Sequence, residues 1–237
     1  MQSQINAAAV GDFEFQALER AQNYRRCLVK EFRSHLGGRI IEVGAGVGQM
    51  TELLARQPGV REVLAVEPDP RFAPEFRRRL PANPFLAGTV ADVPAGSEFE
   101  SLISVNVLEH IEQDQQELQA YARLLAKRRG TLCLFVPARP EIYAPIDKDF
   151  GHFRRYTARG LEDKLRSAGF EILRLHYYNL VGYFAWWFNF CLVKKRQFDL
   201  ASVRSFDVVF PMLHAIESKV IRPPIGQSLL VFARAVP

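Results

Sequence analysis

The residues best placed to do chemistry sit in a glycine-rich stretch, IIEVGAGVGQ, over residues 40–49. Gly44, Gly46 and Gly48 alternate with small residues directly after an apolar run. Glycine lets a chain turn sharply, and without a Cβ it lets a ligand lie against the backbone. Glu42 stands just before this turn, Glu67 ends the next apolar run, VLAVE, and Asp92 follows a third, FLAGTVAD. Each places a carboxylate at a strand end, the edge where open α/β sheets bind ligands. A solvated carboxylate is the plain alternative for any one of them; three at successive strand ends make a pattern.

A dinucleotide site is the rival reading. Its G-x-G-x-x-G pattern needs a third glycine for close helix–strand packing and presents a helix N-terminus to pyrophosphate. Here Gln49 stands at that third position and the extra glycine, Gly48, comes one residue early. Glu42 would sit badly beside a pyrophosphate, whereas an acid suits a cation. The pattern therefore favours S-adenosylmethionine (SAM), whose sulfonium is positively charged. Glu67 can accept hydrogen bonds from both ribose hydroxyls, and Asp92 one from an adenine amino group.

Moving a methyl group off a sulfonium demands alignment and exclusion of water more than covalent help. A hydroxyl acceptor also gains from a general base. Two histidines are candidates: His110 in VLEHIEQ and His152 in DFGHFRRYT. Imidazole suits the role because it titrates near neutrality. Structural alternatives stand beside both, since His110 could open the following helix and His152 could orient its loop. Arg154 and Arg155 could grip a phosphate or carboxylate on the acceptor, or face solvent. Tyr156, next in the run, joins the acceptor-side candidates.

These groups need a frame to hold them. Residues 14–35 read as an amphipathic helix ended by Gly37-Gly38. Short apolar runs at 39–43, 63–66, 85–87, 101–105 and 130–136 read as strands, with helices expected over 49–57, 70–80 and 111–127. A long loop, 137–156, precedes a helix over 158–168 that Thr157 caps and Gly169 stops. Two last strands are expected at 170–178 and 228–234. The alternation of strand and helix predicts an α/β fold with a parallel sheet covered on both faces.

With those blocks in view, the sequence resembles the class I SAM-dependent methyltransferases, and most closely the small-molecule branch that includes the quinone-biosynthesis O-methyltransferases. The resemblance covers about residues 20–178. It rests on IIEVGAGVGQMTELLA, VLAVEPDP, GTVADVP, LISVNVLEHIEQDQQELQAYARLLAKRRGTLCLFVP and GHFRRYTARGLEDKLRSAGFEI. It implies a Rossmann-like seven-stranded sheet of order 3-2-1-4-5-7-6, strand 7 antiparallel, in one domain spanning residues 1–237. It also implies that Gly44, Ala45, Gly46 and Gly48 line the methionine part of SAM. Glu67, with Pro68 beside it, would hold the ribose, and Asp92 with the backbone of Val93 would read adenine. Asn106 and Val107 would border the methionine moiety, and Tyr24 would cover the cofactor.

Composition narrows the class. Of 237 residues, 48% are hydrophobic and 24% charged, which fits a globular chain rather than a disordered one. The net charge of +5 admits nucleic acid, anionic membrane or acidic substrates. The triplets Arg77–Arg79 and Lys127–Arg129 fall at expected helix ends, where cations complement the helix dipole. Cys27, Cys133 and Cys191 are odd in number and far apart, so neither a disulfide framework nor a zinc site is expected, and a cytoplasmic setting fits. No metal is expected, and MQSQINAAAV lacks the pattern of a secretory leader.

The least ordinary stretch is LVGYFAWWFNFCLV, residues 180–193, followed by Lys194-Lys195-Arg196. It falls short of the about twenty residues needed to span a bilayer. It reads as a core helix or dimer contact, a lid over a greasy acceptor that uses Trp186, or an element lying in a membrane interface through 180–196. With a further helix over 206–221 it would form a hydrophobic helical insertion, 180–222, between the last two strands. Both a monomer and a homodimer fit.

Methylation of an oxygen on a small or lipid-linked metabolite is the leading expectation. A nucleic-acid methyltransferase is disfavoured: amino-directed DNA enzymes carry N/D-P-P-Y/F after the fourth strand, where this chain reads NVLEH, and no basic stripe interleaved with stacking aromatics is evident. A non-catalytic partner protein that keeps the fold is the third reading.

Overall fold

The computed structural model describes residues 21–197, 199–218 and 223–236. Seven strands form one sheet in the order β3-β2-β1-β4-β5-β7-β6. They are β1 (Gly38–Val43), β2 (Val60–Glu67), β3 (Phe85–Ala87), β4 (Ser101–Val105), β5 (Thr131–Pro137), β6 (Phe170–Tyr178) and β7 (Ser228–Ala235). The first five pair in parallel, and β7 runs antiparallel to both β5 and β6. This is the expected order.

Side chains alternate across a strand, so each strand feeds both faces of the sheet. Ile41, Leu102, Leu132, Leu134 and Val231 pack on one face against α4 (Asp114–Ala126) and α6 (Ala158–Ser167). Ile40, Ile103, Cys133, Phe135 and Phe232 pack on the other against α1 (Gln22–Phe32), α2 (Gln49–Ala55) and α8 (Leu200–Ile216). With both faces covered, the central strands are apolar throughout, and β5 is buried at every residue. The remaining α-helices among the described residues are α3 (Ala73–Arg79), α5 (Pro145–Asp149) and α7 (Leu180–Trp186), the last continuing as a π-helical segment, Trp187–Leu192.

The insertion between β6 and β7 is tied in by carboxylates. No side chain of its own caps α1. Asp207 of α8 does so instead, accepting from Asn23 N at 3.0 Å and Tyr24 N at 2.9 Å. Glu217, just past α8, accepts from Asn179 N at 3.0 Å and Leu180 N at 2.7 Å, at the start of α7. Orphan N–H groups and the positive end of each helix dipole are met by acids distant in sequence.

Several expected boundaries move. The first helix spans only Gln22–Phe32 and passes into a 3₁₀ turn, Arg33–His35; residues 14–20 of that expectation lie outside the described residues. The helix expected from 111 begins at Asp114, because Leu108–His110 closes a 3₁₀ turn first, with His110 N donating to Val107 O at 3.0 Å. The loop 137–156 holds a 3₁₀ turn, Pro140–Ile142, and α5. The helix expected from 206 starts at Leu200, where Asp199 accepts from Ala201 N and Ser202 N; residues 219–221 at its expected end lie outside the described residues.

Candidate active site

The glycine turn links β1 to α2. Gly44, Gly46 and Gly48 all have positive φ, at 77°, 53° and 83°. At two of them the reason for glycine is packing against protein rather than open space for a ligand. A Cβ on Gly44 would lie 2.2 Å from Val107 Cγ2, and one on Gly48 would meet Phe76 at 2.8 Å and Leu80 at 2.9 Å. Val107 is thus pressed against the turn, and Ala45 is buried beside Ala65 and Phe76.

Carboxylates brace this turn. Glu67 Oε2 accepts from Gly46 N at 2.9 Å and Oε1 from Asp69 N at 2.9 Å, the latter bond reaching across Pro68. Glu42 is buried and accepts from the Thr51 hydroxyl. Burial, reinforced by the Glu67 charge and offset in part by Thr51, pushes Glu42 up to about 8. Burial likewise raises Glu67, against the pull of its two backbone bonds. A positively charged ligand beside this pair would lower both, so the donor set fits a cationic cofactor.

Asp92 lies on the rim after β3. Its Oδ2 accepts from Thr89 N at 2.8 Å and Thr89 Oγ1 at 3.0 Å. Those bonds hold its carboxyl below the usual range. Val93, next in the chain, is buried.

A cavity of about 390 Å³ opens beyond the other strand ends. Asn106, Phe135, Pro137, Asn179 and Ser228 contribute from the ends of β4 to β7, and Tyr24 from α1. Trp186, Phe190, Val203 and Phe206 of the insertion form an apolar wall, and Glu109, His152 and Arg155 a polar one. Asn106 has φ 52° and connects the cavity to the end of the strand beside β1.

The polar wall is organised by Asp147, a fully buried residue that the sequence reading missed. Its Oδ1 meets His152 Nδ1 at 3.0 Å, Arg155 Nε at 2.9 Å and a terminal Arg155 nitrogen at 2.8 Å. Its Oδ2 accepts from Ala144 N at 2.8 Å. Burial alone would raise this carboxyl, but the His152 bond and the Arg155 charge outweigh it and hold it below the usual range. Arg155 also donates to Ala138 O at 3.2 Å and lies 4.3 Å from the Trp186 ring centre. Trp186 is itself pinned by a 3.1 Å bond from its indole nitrogen to Ile142 O. The available sequence signal for Asp147 is Ala144-Pro145-Ile146-Asp147, a proline at the first helical position with an acid two residues on.

The remaining candidates separate. His110 stacks edge-on to His152 with ring centres 4.6 Å apart. Glu109, a second residue that sequence reading did not single out, joins them: one ligand-type atom from each of Glu109, His110 and His152 lies within 4.8 Å of the others. Arg154 does not line the cavity; it binds Asp114 at 2.8 Å and Glu112 O at 2.9 Å. The Tyr156 hydroxyl donates to Asp114 Oδ2 at 3.0 Å and Leu108 O at 3.2 Å, also away from the cavity.

Residues 41–134, from β1 into β5, match a family model described as a methyltransferase domain. The sheet order joins that match to a known architecture. The fold is that of the class I methyltransferases. A solved complex from Haloferax volcanii, between the Trm112 methyltransferase activator and a protein described as a methyltransferase, is similar with a TM-score of 0.65 at 13% identity, over 98% of each chain. A protein described as a methyltransferase from Bacillus halodurans gives 0.61 at 18%, over 89% of this chain and 99% of that one. The N-methyltransferase NodS from Bradyrhizobium japonicum, solved with S-adenosyl-l-homocysteine, gives 0.57 at 15%, over 90% and 85%. The search of curated proteins found no match. None of these findings singles out the quinone O-methyltransferase branch.

Proposed function

We propose that the protein is a SAM-dependent methyltransferase that methylates an oxygen of a small or lipid-like acceptor. The observation that carries this reading is the join between two sites. A glycine turn braced by buried acids packs on Val107, and the neighbouring Asn106 lines a largely apolar cavity walled in part by His152, which is paired with the buried Asp147. The similarity to solved methyltransferases, one holding S-adenosyl-l-homocysteine, supports SAM as the cofactor.

SAM, when bound, supplies an electrophilic methyl group on sulfur. The residues of the chain supply the rest. Gly44, Ala45, Gly46 and Gly48 would form the turn that holds the methionine part, bordered by Asn106 and by Val107, which packs on Gly44. Glu67 and Asp92 would hold the ribose and adenine. The apolar wall of Trp186, Phe190 and Phe206 excludes water from the acceptor. Asp147 places the proton of His152 on Nδ1, which makes Nε2 the basic nitrogen for an acceptor hydroxyl. His110, edge-on to that ring, limits its rotation. Arg155 holds Asp147 ionised and, with Trp186, shapes the acceptor pocket.

Equilibrium titration with SAM and with NADH tests the reading. The expected result is saturable SAM binding with none for NADH; uptake of NADH without SAM overturns it.

A further inference from the structure

The insertion that walls the cavity also presents apolar side chains to solvent. Val181, Phe184, Trp187, Phe188 and Leu192 recur at helical spacing along α7 and its π-helical continuation, with Phe184 54% and Trp187 46% exposed. On α8, Val208, Val209, Met212 and Ile216 form a second exposed stripe, with Val208 at 68%. The neighbouring Trp186, Phe190, Val203 and Phe206 line the cavity instead. One insertion thus shows one apolar face to the acceptor pocket and another to the surroundings, and exposed apolar area on this scale marks an interaction site.

Charge identifies the occupant. No Asp or Glu occurs from residue 180 to 197, and Lys194, Lys195 and Arg196 follow the aromatic stripe. Within α8 the one acid is Asp207, turned inward onto the start of α1. Lys195 Nζ donates to Asn189 Oδ1 at 2.8 Å, and Arg196 pairs with Asp149. A two-fold contact with a second copy through this segment would bring two acid-free, cation-bearing stripes together. Aromatic side chains with trailing cations instead match the interface of a membrane with anionic headgroups. No described helix is long and apolar enough to cross a membrane, so the contact is peripheral.

We propose that the outer faces of α7, the π-helical segment and α8 dock on an anionic bilayer surface. Lys195, Gln197 and Asp199, in the segment that carries the cations, also line the cavity. A lipid-linked acceptor therefore enters beside the headgroup layer. This docking role rests on the reading of the cavity as an acceptor pocket.

Vesicle cosedimentation with the full chain tests it, using phosphatidylcholine alone or mixed with phosphatidylglycerol. The protein should sediment with the mixed vesicles only, less so as salt rises, and its tryptophan emission should move to shorter wavelength as Trp187 leaves water. The exposed-site variants Trp187→Ser with Phe188→Ser, and Lys194→Glu alone, should each cut partitioning about tenfold. Failure to sediment with the anionic vesicles overturns the proposal. So does partitioning unchanged by both variants, or loss of a dimer in Trp187→Ser with no change in vesicle binding. SAM affinity measured on the same preparations separates the two readings. SAM binding without vesicle binding defeats docking alone; vesicle binding without SAM binding defeats the methyltransferase reading alone.

Discussion

At the ends of β1, β2 and β3, the candidate cofactor groups come from three short stretches of chain. There Glu67 is fixed by the backbone N–H groups of Gly46 and Asp69, and Asp92 by its neighbour Thr89. At the ends of β4 to β7, the cavity walls come from α1, the β4 and β5 ends, the α5 loop, the insertion and the start of β7. There the polar groups are fixed by one buried side chain, Asp147, shared between His152 and Arg155. In the first region Glu67 and Asp92 are held largely by nearby main chain, so replacing either acid should act locally. The second depends on a buried charge, and one substitution should propagate through it.

The largest expected effect tests that dependence. Asp147→Asn removes the counter-charge from Arg155, whose side chain is almost wholly buried, and should lower stability by about 3–5 kcal/mol in denaturant unfolding. The same pairing gives an acid limit. The folded Asp147 carboxyl lies below its ordinary value, so its stabilisation is complete above the unfolded value of about 3.9 and is lost as pH falls through the folded one. Asp147→Asn should flatten that part of the acid unfolding curve.

Gly44→Ala comes next. It combines positive φ with a collision on Val107, and should cost about 2–4 kcal/mol and most of the SAM affinity. Gly59→Ala is the control, with φ 85° and nothing within 4 Å of the new Cβ, and should show the strain cost alone.

His152→Ala separates chemistry from binding. Turnover should fall by about 100-fold or more while SAM affinity changes little, as single-turnover rates and calorimetry would show. Equal activity would remove His152 from the mechanism.

Glu42→Gln probes the raised acid on the cofactor side. A carboxyl that holds its proton up to about 8 when folded, but only to about 4.3 when unfolded, makes the ligand-free protein lose stability as pH rises between those values. The variant should remove that slope, so its melting temperature should exceed that of the parent most clearly at and above pH 8. SAM binding should shrink or reverse that difference, since the parent gains a cation partner that the variant lacks.

Asp92→Ala is the mildest. Losing one polar partner for adenine should weaken SAM binding about three- to tenfold. Unchanged affinity would remove Asp92 from the adenine site.

The amino-acid sequence by itself determined the strand pattern, the glycine turn and the acids that brace it. Those features are local: a strand declares itself by a run of apolar residues, a turn by its glycines, and an acid at a strand end by its place in the run. Even there the tertiary structure supplied a reason that the spacing did not contain, since Gly44 and Gly48 are required by Val107, Phe76 and Leu80 from other elements. For the acceptor side, the sequence offered His152 and a run of arginines without a way to sort them. Folding assigned Arg155 to Asp147 and turned Arg154 and Tyr156 onto Asp114. It also divided the aromatic stretch after β6 into a buried Trp186 and an exposed Trp187. The reason is physical: a buried charge must find its partner wherever the chain brings one, and which face of a helix is inside depends on what packs against it.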